Sequence, residues 1–340
     1  MSITGPEYAL FDAGDLPLEA GGRLPAARLA YRSWGRVGEV EPILTCSAFG
    51  QSHADLAFIA GPGAPLDPRR HWIIHTELIG NGRSSSPSNT APPLNGPAFP
   101  QIGIRDNVAL QARLLDHLGV DRVAAVIGAS MGGQQALQWA VSHPERVRRA
   151  VAIVASARAS WHVQLFLHAL ETALRSDPAF AEGHYQKPPR LGLSRMSEAW
   201  APWALSPEFF SLGHYRTFED TSAATLEDFL ARWRTRYHDR DANDLICHFR
   251  CWRGHDLGGT PGCGGDLEAA AARATLPVLL MPSSTDAYFA VADVAREAAL
   301  FPEAQLQVIE SPAGHGAGFG RMATDREQIR DVLTAFLEGA

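Results

Sequence analysis

Short apolar runs recur along the chain, separated first by turn residues and then by helical periods. Tyr8–Phe11, Ala27–Tyr31, Pro42–Cys46 and His71–Thr76 read as early strands of a sheet. From Ile104 the apolar spacing becomes helical, carrying Val108, Leu110, Leu114, Leu115 and Leu118 to a natural stop at Gly119. A buried strand, Val123–Ala129, follows and runs into a helix that carries Ala136, Leu137 and Ala140 as far as His143 and Pro144. Arg149–Val154 is the next strand. Strand, helix and strand at this spacing predict a parallel sheet with right-handed crossovers.

The pattern then changes. From Ala159 to about Ala274 there are helical stretches rich in Trp, Phe, His and Arg, broken at Pro188, Pro189, Pro202, Pro207, Gly258 and Gly259. They predict a helical cap inserted over the sheet. Apolar strands resume at Pro277–Met281 and Gln305–Glu310, and a helix from about Thr324 to Leu337 closes the chain. The expected division is a first core part over 1–158, a helical lid over 159–274 and a second core part over 275–340. No internal repeat appears.

The chemistry sits at the ends of these strands. Gly128-Ala-Ser130-Met-Gly132 places a serine between glycines where a strand turns into a helix. That is the pattern of a strained turn that exposes a nucleophile, the alternative being a tight turn with a structural serine. Asp286 follows the strand Pro277–Met281, and His315 follows Gln305–Glu310. Singly, the aspartate reads as a turn or cap residue and the histidine as a loop residue. Together they supply what Ser130 needs: an imidazole to accept its proton and a carboxylate to fix that imidazole. The order Ser, Asp, His is the one found in α/β-hydrolases. Asp293 is a rival acid set aside because it falls within a predicted helix. The loop Ser47–His53 is either an ordinary surface loop or one whose amide faces a reacting carbonyl. Phe49 is its candidate oxyanion donor, with the Met131 amide at the helix start as the second. Gly80–Pro87 lacks the third glycine and the following helix of a dinucleotide site.

Composition narrows the partners. The 340 residues are 46% hydrophobic, with a formal charge of -7 from 30 basic and 37 acidic side chains. No basic run suggests nucleic acid or an anionic membrane, so a small neutral or weakly anionic substrate is expected. The opening residues show no basic region followed by an apolar core, and no apolar run of about 18 residues occurs, so a cytoplasmic protein is expected. Four cysteines are too few for a disulfide framework. Cys247, Cys251 and His255 share a helical face, with Cys263 in the loop beyond, but the spacing matches no zinc pattern, and no metal is expected.

On these residues the chain resembles the homoserine O-acetyltransferase family of the α/β-hydrolase superfamily over nearly its full length. Segments that carry the resemblance include Gly61–Asp67, Phe99–Asp106, Leu114–Gly119, Gly128–Ala140, Gly192–Arg195, Asp241–Asn243, Ser284–Asp286 and Gly314–His315. It implies an α/β-hydrolase fold with a helical lid, Ser130, Asp286 and His315 as a triad, and the amides of Phe49 and Met131 as the oxyanion hole. With the apolar lid, it also points to a homodimer. Members that use homoserine hold its carboxylate with a lid arginine, and Arg195 stands at that position. The aspartate that holds the amino group directly after the histidine is here Gly316, and a Thr-Tyr pair is replaced by Trp200-Ala-Pro-Trp203. A buried ammonium without a counter-charge costs several kcal/mol, so homoserine is disfavoured. The expectation is a serine carboxylesterase acting on a short-chain ester, with Arg195, Gly316, Trp200 and Trp203 around the substrate and no cofactor. The alternatives are an O-acyltransferase with acetyl-CoA as co-substrate, and a non-catalytic receptor.

Overall fold

A computed structural model describes residues 8–52, 57–220 and 222–339. His53, at the end of the candidate oxyanion loop, lies outside the described residues. The chain forms β1 (Ala9–Asp12), β2 (Leu16–Pro17), β3 (Arg23–Leu24), β4 (Arg28–Gly35), β5 (Pro42–Cys46), β6 (Trp72–Thr76), α1 (Ile104–His117), β7 (Ala125–Ala129), α2 (Met131–Ser142) and β8 (Ala150–Ile153). It then leaves the sheet for α3 (Trp161–Arg175), α4 (Arg190–Ala204), α5 (Pro207–Ser211), α6 (Leu226–Thr235), α7 (Ala242–Arg253) and α8 (Leu267–Ala271). It returns as β9 (Val278–Met281), α9 (Val291–Ala298), β10 (Ala304–Leu306) and α10 (Ala323–Glu338).

Eight strands make one sheet in the order β1-β4-β6-β5-β7-β8-β9-β10. β1, β4 and β6 pair antiparallel, and every pairing from β6 to β10 is parallel. The central strands are buried throughout because both faces are covered. Leu44, Ile74, Val126, Ala152 and Leu280 point to the face that carries α1 and α2. Their neighbours Ile43, Ile73, Ile127, Val151 and Leu279 point to the face closed by Ile329, Leu333 and Phe336 of α10. This alternation is the period of two expected of a strand with a core on each side.

Regular pairing of β10 ends at Leu306, four residues before the expected strand does. The ladder resumes with Ile309 N donating to Pro282 O, so the chain still reaches the carboxyl edge of the sheet beside β9. All the candidate residues that follow strands are therefore delivered to one edge, where α/β sheets place their sites.

The turn from β7 into α2 depends on small residues. A Cβ on Gly128 would overlap the backbone of Gly132, and one on Gly132 would overlap the Cys46 carbonyl oxygen of β5. Gly128→Ala is accordingly expected to lower stability by about 3 kcal/mol, read as a shift in the urea midpoint.

Candidate active site

Ser130 occupies the single residue between β7 and α2, at φ 54° and ψ -123°. A non-glycine residue at positive φ is strained, and here the hydrogen bonds on both sides hold it. Its N–H donates to Ile153 O of β8 at 2.9 Å, and its carbonyl accepts from Gln134 N at 3.0 Å. The side chain stands at the N-terminus of α2, where the helix dipole favours negative charge.

His315 lies in a 3-10 turn, Gly314–Phe319, beyond β10. Its Nδ1 is 2.7 Å from Asp286 Oδ2. The other carboxylate oxygen accepts the amide N–H groups of Tyr288 at 2.8 Å and Phe289 at 3.4 Å, and the Asp286 side chain is fully buried. An ionised carboxylate accepts only, so the Nδ1–H of His315 donates to it and Nε2 is left as the basic nitrogen. The two loops are tied together by Thr285, whose hydroxyl donates to Ser311 O at 2.7 Å and accepts from Gly314 N at 3.0 Å. Nothing in the sequence marks Thr285 for that duty, because its partners lie more than twenty residues away. Asp293, the rival acid, is on α9 in an ion pair with Arg296.

The loop after β5 is anchored in the core at Ser47. Its N–H donates to Thr76 O at 3.0 Å, its hydroxyl accepts from Leu78 N at 2.9 Å, and its carbonyl accepts from Gln135 Nε2 at 3.0 Å. Gln135 belongs to α2, so the helix that starts beside Ser130 also fixes the loop that presents Phe49. Met131 is the first residue of that helix, with its side chain buried.

Ser130, His315, Phe49, Gly316 and Trp200 all line one cavity of about 630 Å³, its mouth included. Tyr288, Trp233, Trp252 and Tyr237 supply further aromatic wall. The Tyr288 ring lies 4.5 Å from the His315 ring, and its hydroxyl accepts the indole N–H of Trp200. Burial and the neighbouring Asp286 charge push the Tyr288 phenol well above its ordinary range, so it stays neutral.

Two expected substrate residues are elsewhere. Arg195 is exposed on the outer face of α4, with its guanidinium on the Ser176 hydroxyl at 2.9 Å, because the buried face of α4 is made by Leu193, Met196, Ser197 and Trp200. Trp203 packs against His162 and Phe166 of α3 at 4.8 Å and does not line the cavity. The arginines that do reach the cavity are Arg236, stacked over Trp233 at 4.7 Å, and Arg321, against Gly316. No aspartate or glutamate among the described residues lines it.

Cys247, Cys251, His255 and Cys263 are buried, and all four cysteines of the chain are free thiols. Burial pushes the Cys247 thiol up to about 12 and His255 down to about 3, so both stay uncharged on a packing face. No helix of the described residues is long and apolar enough to cross a membrane.

Residues 41–320 match the sequence model of the alpha/beta hydrolase fold. The chain is 36% identical over 340 residues to the ethyl acetate hydrolase of Pseudomonas veronii, with 98% of this chain and 95% of that protein covered. It is 30% identical over 328 residues to the homoserine O-acetyltransferase of Nostoc punctiforme, with 92% of each covered. Among solved structures it matches the acetyl esterase MekB with a TM-score of 0.93 at 34% identity, over 98% of this chain and 97% of that one.

Proposed function

The chain belongs to the α/β-hydrolase fold family, and on that footing we propose that it hydrolyses short-chain carboxylic esters through an acyl-enzyme on Ser130. The observation that carries the proposal is the joint placement of His315 and Ser130 in one aromatic cavity, with Asp286 holding the far side of the imidazole at 2.7 Å. In the first step His315 Nε2 takes the Ser130 proton as Oγ attacks the ester carbonyl carbon. The tetrahedral oxyanion accepts hydrogen bonds from the Phe49 and Met131 amides. Collapse breaks the bond to the alkoxy oxygen, which leaves as the alcohol with the proton from His315. Water then loses a proton to His315 and attacks the acyl carbon, and the acid departs as the proton returns to Ser130. Asp286 stabilises the imidazolium formed in each half.

The second reading is transfer of an acetyl group from acetyl-CoA to an alcohol, supported by the likeness to homoserine O-acetyltransferases. The cavity argues against homoserine. An ammonium there would meet Arg236 and Arg321 without a carboxylate among the described lining residues, and the position after His315 is Gly316. Product analysis separates the readings. Acid release from ethyl acetate, with negligible CoA release from acetyl-CoA and homoserine, is expected. Efficient alcohol-dependent CoA release with negligible ester hydrolysis would overturn the esterase reading. A receptor with no chemistry has no use for a His–Asp pair whose imidazole shares one cavity with a strained serine. We also infer a homodimer, supported by Trp161 and Leu165, which are 85% and 67% exposed one turn apart on α3.

A further inference from the structure

We propose that His248 of α7 is a positioning residue for the reaction, tying the Gly50 amide to the Ile79 carbonyl through a neutral imidazole and so fixing the Phe49 amide that faces the oxyanion. The inference rests on the reading of Phe49 given above.

An oxyanion donor works only if it is held still where charge develops, since a donor free to drift must be reorganised during the reaction. Phe49 is bracketed. Upstream, Ser47 is pinned by Thr76, Leu78 and Gln135 from the sheet and from α2. Downstream, the next amide, Gly50 N–H, donates to His248 Nδ1 in a long hydrogen bond of 3.4 Å. The other ring nitrogen, Nε2, lies 3.1 Å from Ile79 O.

These two contacts fix the tautomer. A carbonyl oxygen can only accept, so Nε2 carries the proton, and Nδ1 then offers the lone pair that Gly50 requires. A protonated ring would present a second N–H to the Gly50 N–H and break the tie. Burial keeps the ring neutral: the residue is 1% exposed and its pKa is pushed down to about 4.

The same helix also holds the Phe49 side chain. The Phe49 ring stacks on Phe249 at 5.0 Å and meets the His248 ring edge-on at 5.4 Å. Beneath the helix, Gly80 lets His248 approach: at φ +94°, a Cβ there would fall 3.0 Å from His248 Cδ2 and 2.9 Å from Cys247 Sγ. Ile79, whose carbonyl accepts the Nε2–H, is fixed in turn by its own N–H, which donates to Asn107 Oδ1 of α1 at 2.9 Å. Through His248 the helical insertion therefore sets one half of the oxyanion hole, and α2 sets the other. Packing alone would be served as well by a phenylalanine at 248. Use of both polar atoms, in the one tautomer that satisfies both, is what a positioning role requires.

The test compares His248→Phe, His248→Asn and Gly80→Ala with the native protein on p-nitrophenyl acetate, with a trifluoromethyl ketone as transition-state analogue and a phosphonate as the Ser130 label. His248→Phe keeps the ring and loses both hydrogen bonds. It is expected to lower kcat roughly 10- to 100-fold with KM changed less than about threefold, and to weaken the ketone by the same factor as kcat/KM. His248→Asn, whose side-chain oxygen takes the place of Nδ1, should recover most of the loss. Gly80→Ala, which displaces the imidazole without removing it, should lower kcat in the same manner and decides the matter if His248→Phe does not fold. Native kcat in a folded His248→Phe protein, or equal losses in the Phe and Asn variants, would overturn the proposal. A native protein that the phosphonate does not label at Ser130 would instead overturn the reading on which the proposal rests.

Discussion

Replacing Ser130 with alanine is expected to lower ester turnover roughly a thousandfold or more while the protein stays folded. The expectation follows from what the residue does and does not touch. Its backbone, not its hydroxyl, makes the bonds to Ile153 and Gln134 that hold the turn, and alanine keeps those bonds. Alanine at φ 54° carries the same Cβ as serine, so the strain of the turn is also unchanged. What disappears is the hydroxyl oxygen proposed to carry the acyl group, in the cavity that His315 also lines. Residual activity should come from water bound in the cavity and polarised by the same amides. Because nucleophile and base act as one unit, a Ser130→Ala, His315→Ala double variant should be no slower than either single variant. Initial rates on p-nitrophenyl acetate, read beside a urea midpoint, check both statements.

Asp286→Asn should cost on the order of 10³- to 10⁴-fold in kcat, again without unfolding the protein. Asp286 Oδ1 accepts the Tyr288 and Phe289 amides, and the carbonyl oxygen of asparagine can keep those bonds. That orientation turns the asparagine NH₂ group toward His315 Nδ1, which must then accept, moving the imidazole proton to Nε2. The nitrogen that should take the serine proton would already carry one. The aspartate side chain is fully buried and Tyr288 and Phe289 pack against the imidazole, so the lost charge falls in a poorly solvated setting. Kinetics with the urea midpoint of the same variant separate this effect from a loss of fold.

That Ser130, Asp286 and His315 meet at one edge was legible in the sequence because each follows a strand of one parallel sheet, and parallel strands deliver their ends to a single edge. Ser130 carried the strongest local signal, since its glycines are required by backbone overlap with Gly132 and with Cys46 of the neighbouring strand. Helical positions in the insertion were harder to read. Arg195 is at the expected place in the chain, yet five residues along a helix turn a side chain through about 140°, and Arg195 faces away from the side on which Trp200 lines the cavity. Trp203 lies on a third direction, toward α3. The arginines that do reach the cavity follow the ends of separate elements, Arg236 after α6 and Arg321 before α10, and nothing local distinguishes them among 30 basic residues. His248 follows Cys247 directly and carries no local signal of its own. The groups it meets, Gly50 and Ile79, are both more than 160 positions away.

These placements divide the labour of the molecule. The sheet and α2 place Ser130, His315 and the Met131 amide, while the insertion supplies Trp200 and Trp233 of the wall, Arg236 and, through His248, a contact to Gly50 beside Phe49. Changes within the insertion should therefore alter which ester is accepted, and at His248 the rate as well, without altering the order of bonds made and broken.

The proposed hydrolysis requires a covalent acyl-enzyme at Ser130 that water resolves. Mixing the protein with p-nitrophenyl acetate, quenching in acid within the first turnovers and mapping the peptides by mass should find one acetyl group on the peptide that contains Ser130, decaying once the ester is spent and absent from Ser130→Ala. Steady ester hydrolysis with no acetyl on that serine, or with the acetyl carried by another residue, would contradict it.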